Sequence, residues 1–326
     1  MSFTSLWNLN KMKIHLLGLC FVACMAGLVA PAAAVQETPP RALWIWEEKS
    51  YAMVEKPAVA EDAIDFMKNN GVNVLYLYAD AYRNRNLLIE APGLYKTFIE
   101  RAHQRGMRVY ALLGSSYLNT ETYILPERRA DALAMFQRVL TYNRSAPPAA
   151  RFDGINMDIE PHLLDAWTDE TREQLMLHFL NMSADLMHLK TVYGGQLSVG
   201  PAIPFWLDGI VLKWRGQRKP VSEHVIDLYD YVALMDYRDK AEGTDSIISH
   251  ASSEIAYANR VGKKVVIGLE TTKNDLNKVT FYEEGPKVME REIAKVTHAF
   301  AKEPSFAGYA LHHYGEWRKW LQRKWP

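Results

Sequence analysis

The sequence has little of what would place it in several large protein classes. Only two of its 326 residues are cysteine. They are Cys20 and Cys24, both close to the N-terminus, and a chain without that segment has no disulfide, thiol nucleophile or thiolate metal site. Charge of one sign is not in excess. The 38 Lys and Arg balance 38 Asp and Glu, which gives no electrostatic reason to bind nucleic acid or an anionic membrane. No apolar run reaches the roughly 18–20 residues of a membrane span. The longest, Leu16 to Ala30, is 15 residues long. Lys11 and Lys13 precede it and Ala32-Ala33-Ala34 follow, the layout of a signal peptide over residues 1–34. A secreted or periplasmic protein with no membrane span is therefore expected. Phe21-Val22-Ala23-Cys24 makes a poor lipoprotein box, because the apolar run continues past the cysteine and Phe21 is atypical. Anchoring at Cys24 is the lesser expectation. The signal holds two lysines and no acid, so the remaining 292 residues carry 36 basic and 38 acidic side chains.

Three catalytic signatures are also missing. Trp46-Glu47-Glu48-Lys49 is not a glycine-rich phosphate turn, no His-Glu-x-x-His segment occurs, and Gly114-Ser115-Ser116 is not a Gly-x-Ser-x-Gly elbow. His312 and His313 are adjacent and would face opposite sides of a strand. Neither a metal nor a cofactor is implied.

What is present is a regular alternation. The composition, 48% hydrophobic and 23% charged, is that of a globular protein. Strand-like runs occur at Arg41–Trp46, Val72–Tyr78, Met107–Leu113, Phe152–Glu160, Gln196–Gly200, Tyr231–Met235, Val265–Glu270 and Phe306–His312. Helical patterns separate them. Leu175, Phe179, Met182, Leu186 and Leu189 recur at spacings of four and three after the start signal Thr168-Asp169-Glu170. Strands alternating with helices imply parallel pairing, and eight such units fit a single (β/α)8 TIM barrel over residues 35–326. No linker divides it, and a monomer is expected. The longest insertion is Ala202–Val221, which carries Phe205, Trp206, Trp214, Arg215 and Arg218.

The fourth run departs from the apolar norm of a parallel strand. In Phe152-Asp153-Gly154-Ile155-Asn156-Met157-Asp158-Ile159-Glu160, the apolar Ile155, Met157 and Ile159 share one face. Asn156, Asp158 and Glu160 share the other, pointing into the barrel and toward its C-terminal mouth, where barrel active sites lie. Folding does not require two carboxylates side by side in a barrel. Residues two apart on a strand are roughly 6.5–7 Å apart at Cα, so the two carboxyls can share a proton and one pKa rises, as a general acid needs. A structural network tied to Lys or Arg inside the barrel is the other reading of the same spacing.

Phe152 to Glu160 resembles the signature of glycoside hydrolase family 18, the chitinase family, at every position. Tyr231-Val232-Ala233-Leu234-Met235-Asp236-Tyr237 resembles that family's Met-x-Tyr segment. The resemblance implies that Glu160 is the general acid. Asp158 and Tyr237 would hold the substrate's 2-acetamido group, whose carbonyl oxygen replaces an enzyme nucleophile. Asn156 and the inward-packed Met235 would belong to the same site. The expected function is hydrolysis, with retention, of a polysaccharide containing N-acetylhexosamine, and the expected partner is a polysaccharide or oligosaccharide. Two positions differ from the family. Arg238, flanked by Asp236 and Asp239, stands where Asp usually follows the tyrosine, and His312 stands where a tryptophan floors the cleft. Both imply altered sugar-holding walls.

Trp46 and Tyr78 are candidate stacking platforms, and Glu270, ending the seventh run, is a further candidate at the mouth. Asp236, Arg238 and His312 are candidates for substrate contact. Arg238, Arg215 and Arg218 together would form a basic rim suited to an anionic glycan. Two other functions remain open at this stage. One is a carbohydrate-binding pseudoenzyme of the chitinase-like lectin kind. The other is a retaining glycosidase that uses Glu270 as its nucleophile.

Overall fold

The computed structural model describes residues 38–325. The expected signal peptide, residues 1–34, and both cysteines lie outside them. Within this range are the strands β1 (Arg41–Ile45), β2 (Val74–Tyr78), β3 (Arg108–Leu113), β4 (Gly154–Met157), β5 (Ser198–Pro204), β6 (Val211–Trp214), β7 (Gln217–Pro220), β8 (Tyr231–Met235), β9 (Lys264–Glu270) and β10 (Phe306–His312). Eight of them close into a parallel barrel in the order β1-β10-β9-β8-β5-β4-β3-β2, and β6 and β7 form a separate antiparallel hairpin. The single (β/α)8 barrel is thus the observed fold.

Helices cover the barrel as the apolar spacing requires. In the helix Arg172–Val192, Leu175, Phe179, Met182 and Leu186 are buried. Gly71 and Gly106, both at positive φ, follow the helices Pro57–Asn69 and Pro92–Gln104, where a left-handed residue ends a helix at least cost. Among the described residues no helix is long and apolar enough to cross a membrane.

Most strand ends lie within two residues of the expected runs, and two strands depart further. β5 starts and ends later than the run Gln196–Gly200, so the expected Ala202–Val221 insertion begins inside the strand. Its remainder is a short 3-10 turn, Phe205–Gly209, and the β6/β7 hairpin. β4 ends at Met157 rather than at Glu160. Asp158 N still donates to Leu113 O at 2.7 Å, and Pro161, which has no N–H to give, then starts a 3-10 turn. The last residues of the run therefore leave the sheet and rise over the mouth.

Below them the barrel is filled by aromatic rings in place of the usual aliphatic layers. Trp44 and Tyr76 meet edge-on at 5.4 Å between centroids, Tyr76 and Tyr110 at 5.8 Å, and Tyr110 and Tyr231 at 5.9 Å. Glycines on the neighbouring strands make room for them. A Cβ on Gly154 would stand 2.2 Å from the Tyr110 ring, and one on Gly200 2.7 Å from that of Tyr231.

Gly114, just past β3, positions the mouth. It has φ +100°, and a Cβ there would stand 2.1 Å from the carbonyl oxygen of Asp158. Gly114→Ala is expected to destabilise by about 2 kcal/mol or more through strain and overpacking. Gly93→Ala, in the helix Pro92–Gln104 with open space around it, should be neutral or slightly stabilising. Urea midpoints of the two variants check this, and equal midpoints would contradict it.

Candidate active site

A cavity of about 370 Å³ opens at the C-terminal end of the barrel, lined by Trp46, Glu47, Ser116, Thr120, Glu121, Asp158, Glu160, Leu163 and His312. Each lies at or beyond the C-terminal end of a barrel strand: Trp46 and Glu47 follow β1, Ser116 to Glu121 follow β3, Asp158 to Leu163 follow β4, and His312 is the last residue of β10. Ile159, between the two acids, is 3% exposed, so the alternation of the strand persists past its end and both carboxyls face the cavity.

The environment of the pair keeps a proton on it. The Asp158 carboxyl is raised well above the ordinary range by burial, then by the charges of Glu160 and Glu47. Its Oδ1 is sealed from solvent and has no hydrogen-bond partner. Burial also raises Glu160. The nearby His312 opposes that rise, and Glu121 adds to it. Glu160 Oε1 lies 3.5 Å from His162 Nε2, but burial lowers the His162 pKa, so this ring is a weak counter-charge.

Asn156 sits one layer lower and is fully buried. Its Oδ1 accepts from Trp44 Nε1 at 2.8 Å, and its Nδ2 donates to Tyr231 Oη at 3.3 Å and Gly200 O at 3.4 Å. The residue expected at the substrate instead ties β4 to β1, β5 and β8. Tyr78 is also corrected. It is 0% exposed, and its hydroxyl donates to Ala81 O at 2.8 Å, so no sugar can stack on it. Met235 ends β8 half-buried against the core.

Asp236 is fully buried and does not reach the cavity. Its Oδ1 lies 3.0 Å from His250 Nδ1. Burial pushes its pKa up to about 6 against the His250 bond. Arg238 turns away as well. Its Nε donates to Asp245 at 2.7 Å and its NH1 to Tyr237 O at 2.7 Å, with the guanidinium 4.9 Å from the centre of the Phe205 ring. Bonds from Lys278 and Arg238 hold Asp245 far below its ordinary pKa. Arg215 lies over Trp214 at 4.4 Å. The expected basic rim is not there, because its central arginine is neutralised by an acid the strand pattern did not bring into view.

Glu270 does not line the cavity either. It is 8% exposed. Its Oε1 accepts from the N–H groups of Thr271 and Thr272, both at 2.7 Å, and its Oε2 lies 2.7 Å from His312 Nδ1. Burial acts to raise its pKa, but the His312 bond and charge and the Thr272 N–H outweigh that and lower it. A carboxylate so fully engaged is a poor nucleophile for an incoming sugar. Trp46 Nε1 meets His312 Nε2 at 3.1 Å. An indole N–H can only donate, so His312 accepts at Nε2 and carries its proton on Nδ1, toward Glu270. Tyr237 is half-buried, 6.0 Å from the His312 ring between centroids. Burial, then Glu270, Asp158 and Glu160, raise its hydroxyl pKa, which leaves a neutral donor among three carboxylates.

The sequence reading missed several wall residues. Glu47, which accepts from Ser115 Oγ, and Glu121 were not selected, although both lie in segments that follow barrel strands, Glu47 just past β1 and Glu121 in a 3-10 turn after β3, where loops carry function. His162, Trp167 and Trp206 form an edge-on aromatic cluster, with His162 and Trp206 at 5.2 Å. Spacing alone could not have joined residues from the loops after β4 and β5.

No family model matches this chain. No curated protein matches it by sequence. Solved structures do resemble it. The β-1,4-mannanase of the sea hare Aplysia kurodai has a TM-score of 0.55 at 10% identity, with 89% of this chain and 93% of that chain covered. A C-terminal domain from Desulfitobacterium hafniense DCB-2, provisionally assigned as a chitinase, gives 0.53 at 13% identity over 86% and 94%. A family 18 chitinase from Cycas revoluta in complex with (GlcNAc)3 gives 0.51 at 12% identity over 85% and 95%. At these identities the likeness is one of fold alone, a (β/α)8 barrel that this chain has in common with those structures.

The strained charge of Asp158 has a measurable consequence. Its folded-state pKa is raised, so the folded protein holds a proton that the unfolded chain releases near pH 3.9. Its contribution to stability therefore falls as pH rises past that value toward the folded pKa. Asp158→Asn is expected to raise the Tm at pH 8 by about 2 °C or more and to change it little at pH 4. Loss of stability at pH 8 would show that the carboxylate is favourably held.

Proposed function

We propose that this protein is an exported glycoside hydrolase that cleaves a polysaccharide containing N-acetylhexosamine, with retention and with the substrate's acetamide as nucleophile. The observation that carries the reading is the Asp158–Glu160 pair in the mouth cavity, both carboxyls raised by burial and Asp158 further by Glu160. Glu160 faces the open cavity with only a weak histidine neighbour, so it is the group that gives its proton to the glycosidic oxygen. As that proton leaves, the negative charge of the pair grows beside the developing positive charge on the sugar. Asp158 and the neutral hydroxyl of Tyr237 hold the acetamide, whose carbonyl oxygen attacks the anomeric carbon. Glu160, now a carboxylate, then activates the water that opens the cyclic intermediate.

Glu270 as nucleophile fits less well, since both its oxygens are committed within the wall. A lectin reading is weakened by the retained Glu160. Glu160→Gln is expected to lower kcat at least about a hundredfold, the usual worth of a positioned general acid, while substrate still binds. Activity should follow a bell-shaped pH profile. Its alkaline limb should lie above the ordinary carboxylate range, because the acid form of a raised carboxyl survives to higher pH. Release of reducing ends from N-acetylchito-oligosaccharides, peptidoglycan and exopolysaccharides would supply the assay. Unchanged activity of Glu160→Gln on the substrate found would refute the assignment.

A further inference from the structure

The β6/β7 hairpin, with strands Val211–Trp214 and Gln217–Pro220, runs against two rules of hairpin stability. The first is charge pairing across the strands. Register sets Lys213 opposite Arg218, and like charges directly opposite in an antiparallel pair repel. The second is turn chemistry. Arg215 and Gly216 make the two-residue turn with φ of +48° and +84°, where Asn-Gly is the favoured pair. The stack of Arg215 on Trp214, at 4.4 Å, offsets part of that cost. From Val211 to Pro220 the chain holds Lys213, Arg215, Arg218 and Lys219 and no acid. Lys219 turns inward to Asp227 and Tyr257. Lys213, Arg215 and Arg218 are exposed, and among the described residues none of the three has an acidic partner within ion-pair distance. The neighbouring acids are taken, Asp227 by Lys219 and Glu223 by Arg260.

We propose that this hairpin is an attachment site for an acidic polysaccharide, separate from the mouth cavity. An acidic chain laid on the exposed face meets Lys213 and Arg218 side by side, with Arg215 at the turn beyond them. The repulsion between the two cations is then relieved by one shared ligand. A bilayer fits less well. Stable anchoring needs an apolar element beside a basic patch, but Leu212 is buried and Trp214 Nε1 is tied to Asn181 Oδ1 at 3.0 Å. With Arg215 over its ring, Trp214 is no platform for a nucleic-acid base. The hairpin also lacks the exposed apolar centre of a protein interface. A hydrated acidic chain requires none of these. The acids of the mouth cavity, with no lysine or arginine in its lining, would repel that chain, so it is held at the hairpin and stays out of the cleft.

Binding is measured by calorimetry with oligogalacturonate and dextran sulfate, and with the neutral methyl ester and plain dextran as matched controls. The acidic chains should bind and the neutral ones should not. Affinity should fall about tenfold or more between about 0.05 M and about 0.2 M salt, as the release of three counterions requires. Lys213→Gln and Arg218→Gln should each weaken binding about threefold or more, within the range of an exposed ion pair. Lys302→Gln, which removes an exposed charge elsewhere, should leave it unchanged. Either hairpin substitution also relieves the cross-strand repulsion, so the Tm at low salt should stay equal or rise by about 1 °C. Weaker binding with undiminished stability separates a ligand role from a structural one. Equal binding of acidic and neutral chains, binding of neither, an equal loss in Lys302→Gln, or a lowered Tm of the hairpin variants would overturn the proposal. So would tighter binding of phosphatidylglycerol vesicles or of single-stranded DNA than of the acidic chains. Cleavage in the mouth cavity is not part of the readout, so failure here leaves the hydrolase reading standing.

Discussion

The repulsion between Asp158 and Glu160, held side by side over an aromatic floor, is the constraint around which the barrel mouth is arranged. Each carboxyl is harder to ionise because of burial, and Asp158 is harder still because Glu160 and Glu47 are near. No arginine or lysine relieves them. In a core this would be a plain cost to stability. At the C-terminal end of a barrel it keeps a proton available at the pH where an ordinary carboxylate has lost it. The backbone accepts the arrangement because Gly114 leaves space for the Asp158 carbonyl and Pro161 turns the chain out of the sheet.

The floor below is built to be rigid. Trp44, Tyr76, Tyr110 and Tyr231 interlock edge to face, and Asn156 sits at their centre with both ends of its amide hydrogen-bonded. Edge-to-face rings at these separations are directional as well as apolar. A satisfied polar hub between them fixes their rotation. Tyr231 Oη in turn donates to Ile155 O, so the strand that bears the acids is tied to the ring layer through both main chain and side chain.

This division explains what the sequence could disclose. Strand alternation is local, so the eight runs, the closed barrel and the inward face of Asn156, Asp158 and Glu160 were legible from spacing. How far up the barrel a residue stands is not local. Asn156 and Asp158 differ by one pleat, yet one lies in a sealed layer and the other borders open space, because rings from other strands close around Asn156. Tyr78 and Asp236 were misplaced because each is sealed at its own level: the Tyr78 hydroxyl turns back to Ala81 O, and Asp236 is closed over by His250 from the following helix. Arg238 shows the further limit, since its fate was decided by Asp245, seven residues on in a loop.

The wall opposite the acids follows from donor arithmetic. Where the family resemblance led to a flat tryptophan floor, a chain of three side chains stands instead: Trp46 donates to His312, and His312 donates to Glu270. Glu270 is in turn anchored by two backbone N–H groups. Every link has one direction, because an indole can only donate and a carboxylate can only accept. The imidazole between them is therefore held in a single tautomer with neither ring nitrogen left to offer a proton to the cleft. Such a wall supplies shape and stacking surface. The acids Glu47, Glu121, Asp158 and Glu160 share the lining with no lysine or arginine, and the ligand that fills the cavity meets them directly.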